Sequence, residues 1–165
     1  MADLRRLLAS LGYGNVRTLL NSGNAVFEHG GMPADECATR IEAAVARELG
    51  VTARVTVLDG ADLATVVQEN TLVAQASDHA RLLAFVLADP LRQRASLAPL
   101  LAQAWQDEAV VLGQRAAYLW CPGGVLESRA GQALGKLLGD GVTARNWNTI
   151  AKLHALANAP VAPST

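Results

Sequence analysis

The sequence has few aromatic residues, almost no net charge and no long apolar run, and each absence excludes a class of protein. Aromatic residues make up 4% of the 165 positions, and the formal net charge is −1. A chain without an excess of basic residues has no global field that attracts nucleic acid. Its longest apolar run, residues 82–88, is too short to cross a bilayer. We therefore expect a cytoplasmic protein that does not insert into membranes.

Cysteine and histidine are too sparse for a disulfide framework or a recognisable metal site. The chain has two cysteines and three histidines. Cys37 and Cys121 form no Cys-x-x-Cys pair, and no histidine stands at metal-ligand spacing. Neither a nucleophile elbow nor a Cys–His pairing is detectable. We predict reduced thiols, no metal and no cofactor, and the sequence assigns no catalytic residue.

Hydrophobic residues make up 51% of the chain, which suffices for the core of one domain or of two small halves. In the first half, residues 2–11 and 34–49 carry apolar side chains at helical spacing. Residues 16–20 and 25–28 predict a β-hairpin, because the turn between them combines glycine with asparagine. Apolar residues at alternate positions over 51–57 predict a further strand with one buried face. The first half therefore has the order α-β-β-α-β.

The second half has the predicted order β-α-β-β-α, followed by a final helix. After a short helix at 62–70, residues 82–88 predict a buried strand and 96–105 a helix. A hairpin over 109–112 and 117–121 and a helix over 126–138 follow. Both halves approach the split β-α-β unit of ferredoxin-like folds. We predict an α+β fold of two tandem ferredoxin-like halves, 1–70 and 81–158, with a linker at 71–80, an extra C-terminal helix and a flexible tail at 159–165.

The first half lacks the initial strand of this unit. In ferredoxin-like folds that strand lies inside the sheet, so its absence leaves backbone groups unpaired where burial is expected. The leading expectation is that the chain starts too far downstream, and natural truncation comes second. Otherwise another segment or a partner fills the position.

Two polar clusters form the candidate site. The first is the hairpin set Arg17, Asn21, Ser22 and Asn24. The second is a helix start that we expect Thr143 to cap. On a helical wheel, Trp147, Ile150, Ala151 and His154 share one face, and Arg145, Asn148, Thr149 and Lys152 share the other. Together with Asn146, these arginines, amides and N–H groups suit a phosphate or carboxylate in one cleft.

Simpler interpretations exist for both clusters. The asparagines suit ordinary turn chemistry, and the tryptophan suits a core anchor with a solvated polar face opposite. The functional prediction is a binding module for a small anionic or nucleotide-like ligand. Single-stranded nucleic-acid binding and an enzyme of unknown reaction at the same cleft are the alternatives. Glycines at 131, 135 and 139 favour tight packing on the sheet, with a homodimer contact as the less favoured interpretation.

Two segments resemble the signatures of an uncharacterised bacterial domain-of-unknown-function family. They are Val16–Phe27, with its Asn-Ser-Gly-Asn turn, and Thr143–Thr149, with its Arg-Asn-Trp-Asn-Thr block. The pattern around Tyr118, Pro122 and Gly123 also fits this family. The resemblance implies a cytoplasmic α+β protein of two ferredoxin-like halves and no known activity. Members of the family usually begin with a strand and a glycine-rich loop, which this sequence lacks.

Overall fold

The computed structural model describes residues 1–19, 23–139 and 142–160. Two compact units make up the chain. The first comprises Met1–Gly60 with Lys152–Thr165, and the second comprises Ala61–Ala151. Helices and antiparallel sheets occur together, so the predicted α+β class is confirmed. None of the helices in the described ranges is long and apolar enough to cross a membrane.

The first unit packs a β-hairpin against two helices. Its elements are α1 (Ala2–Ser10), β1 (Gly14–Leu19), β2 (Asn24–Glu28) and α2 (Ala34–Leu49), close to the predicted ranges. Strands β1 and β2 pair antiparallel. The core lies between the helices and one face of the hairpin, where the ring of Tyr13 stacks on that of Phe27 at 4.6 Å. The buried helical side chains of this core are Leu7, Leu8, Cys37, Ile41, Ala44 and Val45.

The strand predicted over residues 51–57 does not form, and this expectation was wrong. Residues 51–59 have no regular secondary structure. Val55 and Val57 nevertheless pack against the core of the first unit, so the alternation correctly marked the buried side. The backbone N–H of Val55 donates to Glu42 Oε1 at 2.8 Å instead of to a neighbouring strand. A strand satisfies its N–H and C=O groups in a ladder with a neighbouring strand, and residues 51–59 form no ladder with the described residues.

The second unit contains a four-stranded antiparallel sheet. Its elements are α3 (Gly60–Gln68), β3 (Leu82–Leu87), α4 (Pro90–Leu101), β4 (Ala109–Leu112), β5 (Ala116–Trp120), α5 (Arg129–Leu138) and β6 (Val142–Asn146). The spatial order is β4-β5-β3-β6, and every neighbouring pair is antiparallel. Helix α6 (Trp147–Asn158) follows β6 directly. Strand β6 was not predicted, because its residues were assigned to the approach of the final helix.

Both faces of this sheet are buried. Phe85, Leu87 and Leu119 pack with α4 and α5 on one face. On the other face Tyr118 is fully buried, and its hydroxyl donates to the Val66 carbonyl of α3 at 2.9 Å. Because both faces are covered, β3 is a continuous apolar run and does not alternate with polar residues.

Helix α4 begins at Pro90 and not at Ser96 as predicted. Asp89 caps it, because Asp89 Oδ1 accepts from the backbone N–H of Arg92 at 3.2 Å. Proline suits this position, since its missing N–H is one that a helix start leaves without a helical acceptor. Pro99 consequently lies inside the helix and not in its first turn.

Candidate functional site

Arg17 lies on the face of the first hairpin that points away from the α1–α2 core. It pairs with Val26, whereas the core-facing Ala25 pairs with Thr18. The side chain is half-buried, and its Nε is buried without a hydrogen-bond partner among the described residues. Native proteins rarely leave a buried donor unsatisfied, and such a group calls for an explanation such as a bound water or ion.

Asn24 lies on the same face, diagonal to Arg17. It stands opposite Leu19 in the ladder, is 7% exposed, and its Nδ2 donates to the Leu19 carbonyl at 3.5 Å. Diagonal neighbours in an antiparallel pair are roughly 7–8 Å apart, within reach of one ligand. The structure therefore brings these two predicted site residues together. Asn21 and Ser22 lie outside the described residues.

Arg145 lies on strand β6 and not on a helix, which corrects its predicted position. It pairs with Ala84, so its side chain lies on the sheet face that carries Tyr118. Its Nη1 donates to the carbonyl of Ala144 at 2.8 Å. Burial lowers the pKa of Arg145, because water solvates the charged guanidinium better than the protein does. Arginine nevertheless keeps its charge at neutral pH.

The cap of the final helix is Asn146, and the prediction of Thr143 was wrong. Asn146 Oδ1 accepts from the backbone N–H of Thr149 at 3.0 Å and from its hydroxyl at 2.9 Å. An asparagine that accepts from the third residue of a helix is a typical N-cap. Thr143 instead pairs with Val86 in the sheet. The helix therefore starts later than predicted, and Asn146 satisfies one of its exposed N–H groups.

The polar and apolar faces of α6 agree only in part with the helical wheel. Trp147 and Ile150 are buried as expected, at 5% and 3% exposed. Thr149 was placed on the solvated face but is 6% exposed, because Asn146 holds its hydroxyl. The exposed positions at this helix start are Asn148, Ala151 and Lys152.

The prediction that Arg17 and Arg145 line one cleft stays a prediction. Arg17 belongs to the first unit and Arg145 to the second. Each arginine is therefore described in its own unit, and the tests proposed below treat the two separately.

A surface cleft that the sequence did not predict lies in the second unit. Its volume is about 280 Å³, and it is lined by the α4–β4 and β5–α5 loops, including Trp105, Glu108 and Arg129. The Glu108 carboxylate caps α5, because it accepts from the backbone N–H groups of Arg129 at 3.2 Å and Ala130 at 2.8 Å. A contact across 21 residues leaves no signal in the sequence spacing. Glu108 thus stabilises the helix start and occupies its N–H donors.

The two cysteines are free and buried. The thiol of Cys121 donates to the Arg81 carbonyl at 3.1 Å, and burial raises its pKa to about 11. A thiol with such a pKa is protonated at neutral pH and is a weak nucleophile. In the described part of the chain, no group of three His, Cys, Asp or Glu side chains could hold a metal ion.

Comparison with known proteins shows which family this chain belongs to. The model of the family described as "Protein of unknown function (DUF1697)" matches residues 1–118, which include the hairpin with Arg17 and end before Arg145. The chain belongs to this family. It is also similar to the solved structure of the conserved bacterial protein SP0830 from Streptococcus pneumoniae, with a TM-score of 0.76 and 20% identity, over 96% of this chain and 89% of that chain. At this identity the likeness concerns the fold alone. No curated protein matches the chain.

Proposed function

We propose that this protein binds a small oxyanion, a phosphate or a carboxylate, through Arg17 on the first hairpin. The observation that carries this proposal is the buried Nε of Arg17, for which the described residues provide no acceptor. A ligand oxygen would supply that acceptor. The Nε and one terminal nitrogen of a guanidinium form a fork that matches two oxygens of a carboxylate or phosphate.

The energetics favour a ligand over a purely structural role. An unsatisfied buried donor costs about 1–3 kcal/mol. A structural arginine normally avoids this cost by pairing with a carbonyl or carboxylate, as Arg94 does with the Gly113 carbonyl. Asn24, on the same hairpin face, adds a side-chain amide that can donate to a ligand oxygen. The two residues together supply charge and orientation.

Arg145 is the second cation of the proposal. Its half-buried position on β6 costs solvation, as the lowered pKa indicates. A partly desolvated guanidinium would interact more strongly with an anion than an exposed one, because the dielectric constant around it is lower than in water. We propose that Arg145 also contributes to anion binding, with Asn148 and Lys152 at the exposed helix start as weaker contributors.

We further propose that both units are ferredoxin-like halves. The second unit supports this with the order β-α-β-β-α-β and a sheet in which β3 lies between β5 and β6. The first unit supports it with the order α-β-β-α followed by residues 51–57 on the same core. In both units the hairpin between the helices has the same place in the chain.

A thermal-shift and calorimetric titration tests the proposal. The ligands are inorganic phosphate, a dicarboxylate, a nucleoside monophosphate and a short single-stranded RNA. The protein variants are wild type, Arg17→Lys, Arg17→Met and Arg145→Met, with the exposed Arg5→Met as the matched control. A ligand at about 100 times its Kd should stabilise the protein by roughly 2.7 kcal/mol. We expect an anion to do so for wild type and the control but not for Arg17→Met.

The outcomes separate the alternatives. An anion-induced shift that survives Arg17→Met would move the site away from the hairpin, and no shift with any anion would overturn the proposal. Binding of RNA alone, with a steep dependence on salt, would favour the nucleic-acid alternative. Equal losses of anion affinity in Arg17→Met and Arg145→Met would support one ligand that engages both arginines.

A further inference from the structure

A β-bulge decides which side chains share the outer face of the first hairpin, the face that points away from the α1–α2 core. In the ladder, Gly14 pairs with Glu28. Arg17, three positions further along β1, pairs with Val26, which is only two positions from Glu28 along β2. Side chains three positions apart on a regular strand lie on opposite faces. The extra residue of the bulge therefore brings Gly14 and Arg17 to the same face.

The bulge has a cost in the backbone and a consequence for Arg17. Asn15 lies in it with a positive φ of 48°, which is uncommon for residues other than glycine. Bulges often redirect a side chain next to a functional site. Here Arg17 lies diagonal to both Asn24 and Glu28, because these two residues stand two positions on either side of Val26. The outer face thus combines a guanidinium, an amide and a carboxylate.

Glu28 lies on this face without an ion-pair partner. Gly14 opposite has no side chain, and a Cβ placed on it would be 3.5 Å from Glu28 Oε2. The carboxylate therefore leans across the hairpin toward β1. Diagonal neighbours of opposite charge can pair, yet within the described ranges neither Arg17 nor Glu28 forms an ion pair. One donor group and one acceptor group remain available side by side.

We infer that the oxyanion bound by Arg17 is hydrogen phosphate, and that its hydroxyl donates to the Glu28 carboxylate. This inference rests on the proposed function, because the guanidinium fork of Arg17 holds two of the ligand oxygens. An ionised carboxylate accepts hydrogen bonds and donates none. A fully deprotonated anion beside Glu28 would therefore meet a like charge, whereas hydrogen phosphate has an oxygen that donates to it.

The same arrangement disfavours the other anions. Sulfate has the shape of phosphate but no proton at neutral pH, and ionised carboxylates and the phosphodiesters of RNA have none either. A site with an acceptor in place discriminates against an analogue that lacks the matching hydroxyl, because the acceptor stays unpaired. Glu28 is exposed, so water offsets part of this loss. We therefore expect a preference for phosphate over sulfate of about tenfold, well below that of a fully buried site.

Calorimetric titration of the full chain with phosphate and with sulfate, at neutral pH and equal ionic strength, tests this inference. The variants are wild type, Glu28→Gln and the matched control Glu48→Gln, which removes the same charge from an exposed position of α2. Wild type and the control should bind phosphate about tenfold more tightly than sulfate. A glutamine amide can donate to sulfate. In Glu28→Gln the affinity for sulfate should therefore rise about tenfold, and the preference should disappear.

The outcomes separate this inference from the proposal on which it rests. Equal affinities of wild type for phosphate and sulfate would overturn the inference and leave anion binding by Arg17 in place. A preference that persists in Glu28→Gln would overturn it as well. An equal rise in sulfate affinity in Glu48→Gln would also do so, since net charge would then be the cause. Binding of neither anion by wild type would contradict the proposed function itself, and the inference with it.

Discussion

Replacing Arg17 by methionine should stabilise the ligand-free protein. The buried Nε of Arg17 has no acceptor in the described part of the chain, whereas methionine buries a stem of similar length without a donor. An unsatisfied buried donor costs about 1–3 kcal/mol. Because the side chain is only half-buried, the lower end of this range applies. We therefore expect the free energy of unfolding to rise by about 1 kcal/mol, or roughly 2–4 °C in Tm.

The assay is thermal and urea denaturation in a buffer that contains neither phosphate nor carboxylate. Arg5→Met on α1 is the control. Arg5 is exposed, and arginine and methionine have similar helix propensities, so the free energy of unfolding of this variant should equal that of wild type. Arg17→Lys keeps the charge without the fork and should lie between wild type and Arg17→Met. A loss of 1 kcal/mol or more in Arg17→Met would refute the reasoning, because Arg17 would then hold the hairpin together. A gain that coincides with lost anion binding is the trade-off typical of a functional residue.

Three further predictions concern the second unit. Asn146→Ala should cost about 1 kcal/mol in urea denaturation, because Thr149 loses its capping acceptor, whereas Asn146→Asp should be nearly neutral. Burial raises the pKa of Cys121 from 9.0 to about 11. The contribution of this thiol to the free energy of unfolding is therefore complete below pH 9 and is lost as pH rises through 11. The fall in stability over this window should be shallower in Cys121→Ala, by at most about 1.4 kcal/mol per pH unit, and an unchanged slope would contradict the assignment. Gly113→Ala should cost about 1–3 kcal/mol in the same assay, because its Cβ would come within 2.5 Å of the Glu69 carboxylate; full stability would show that Glu69 can move.

The candidate site was only partly predictable from the sequence. The hairpin placed Arg17 and Asn24 near each other, because a short turn sets the register of its two strands. The Arg145 segment was assigned to a helix, because the polar residues around Trp147 fit helical spacing. The structure makes residues 142–146 an edge strand, and pairing with β3 is a contact across almost sixty residues that local periodicity does not register.

Local patterns alone determined most elements of this protein. Helical spacing fixed α2 over residues 34–49, and the asparagine–glycine turn fixed the first hairpin, because neighbouring residues carry those signals. Tertiary structure decided which extended segments became strands. Residues 51–57 alternate well but form no ladder, whereas residues 142–146 do so beside β3. The physical reason is that a helix satisfies its backbone hydrogen bonds within one segment, whereas a strand depends on a neighbour that its own sequence does not encode.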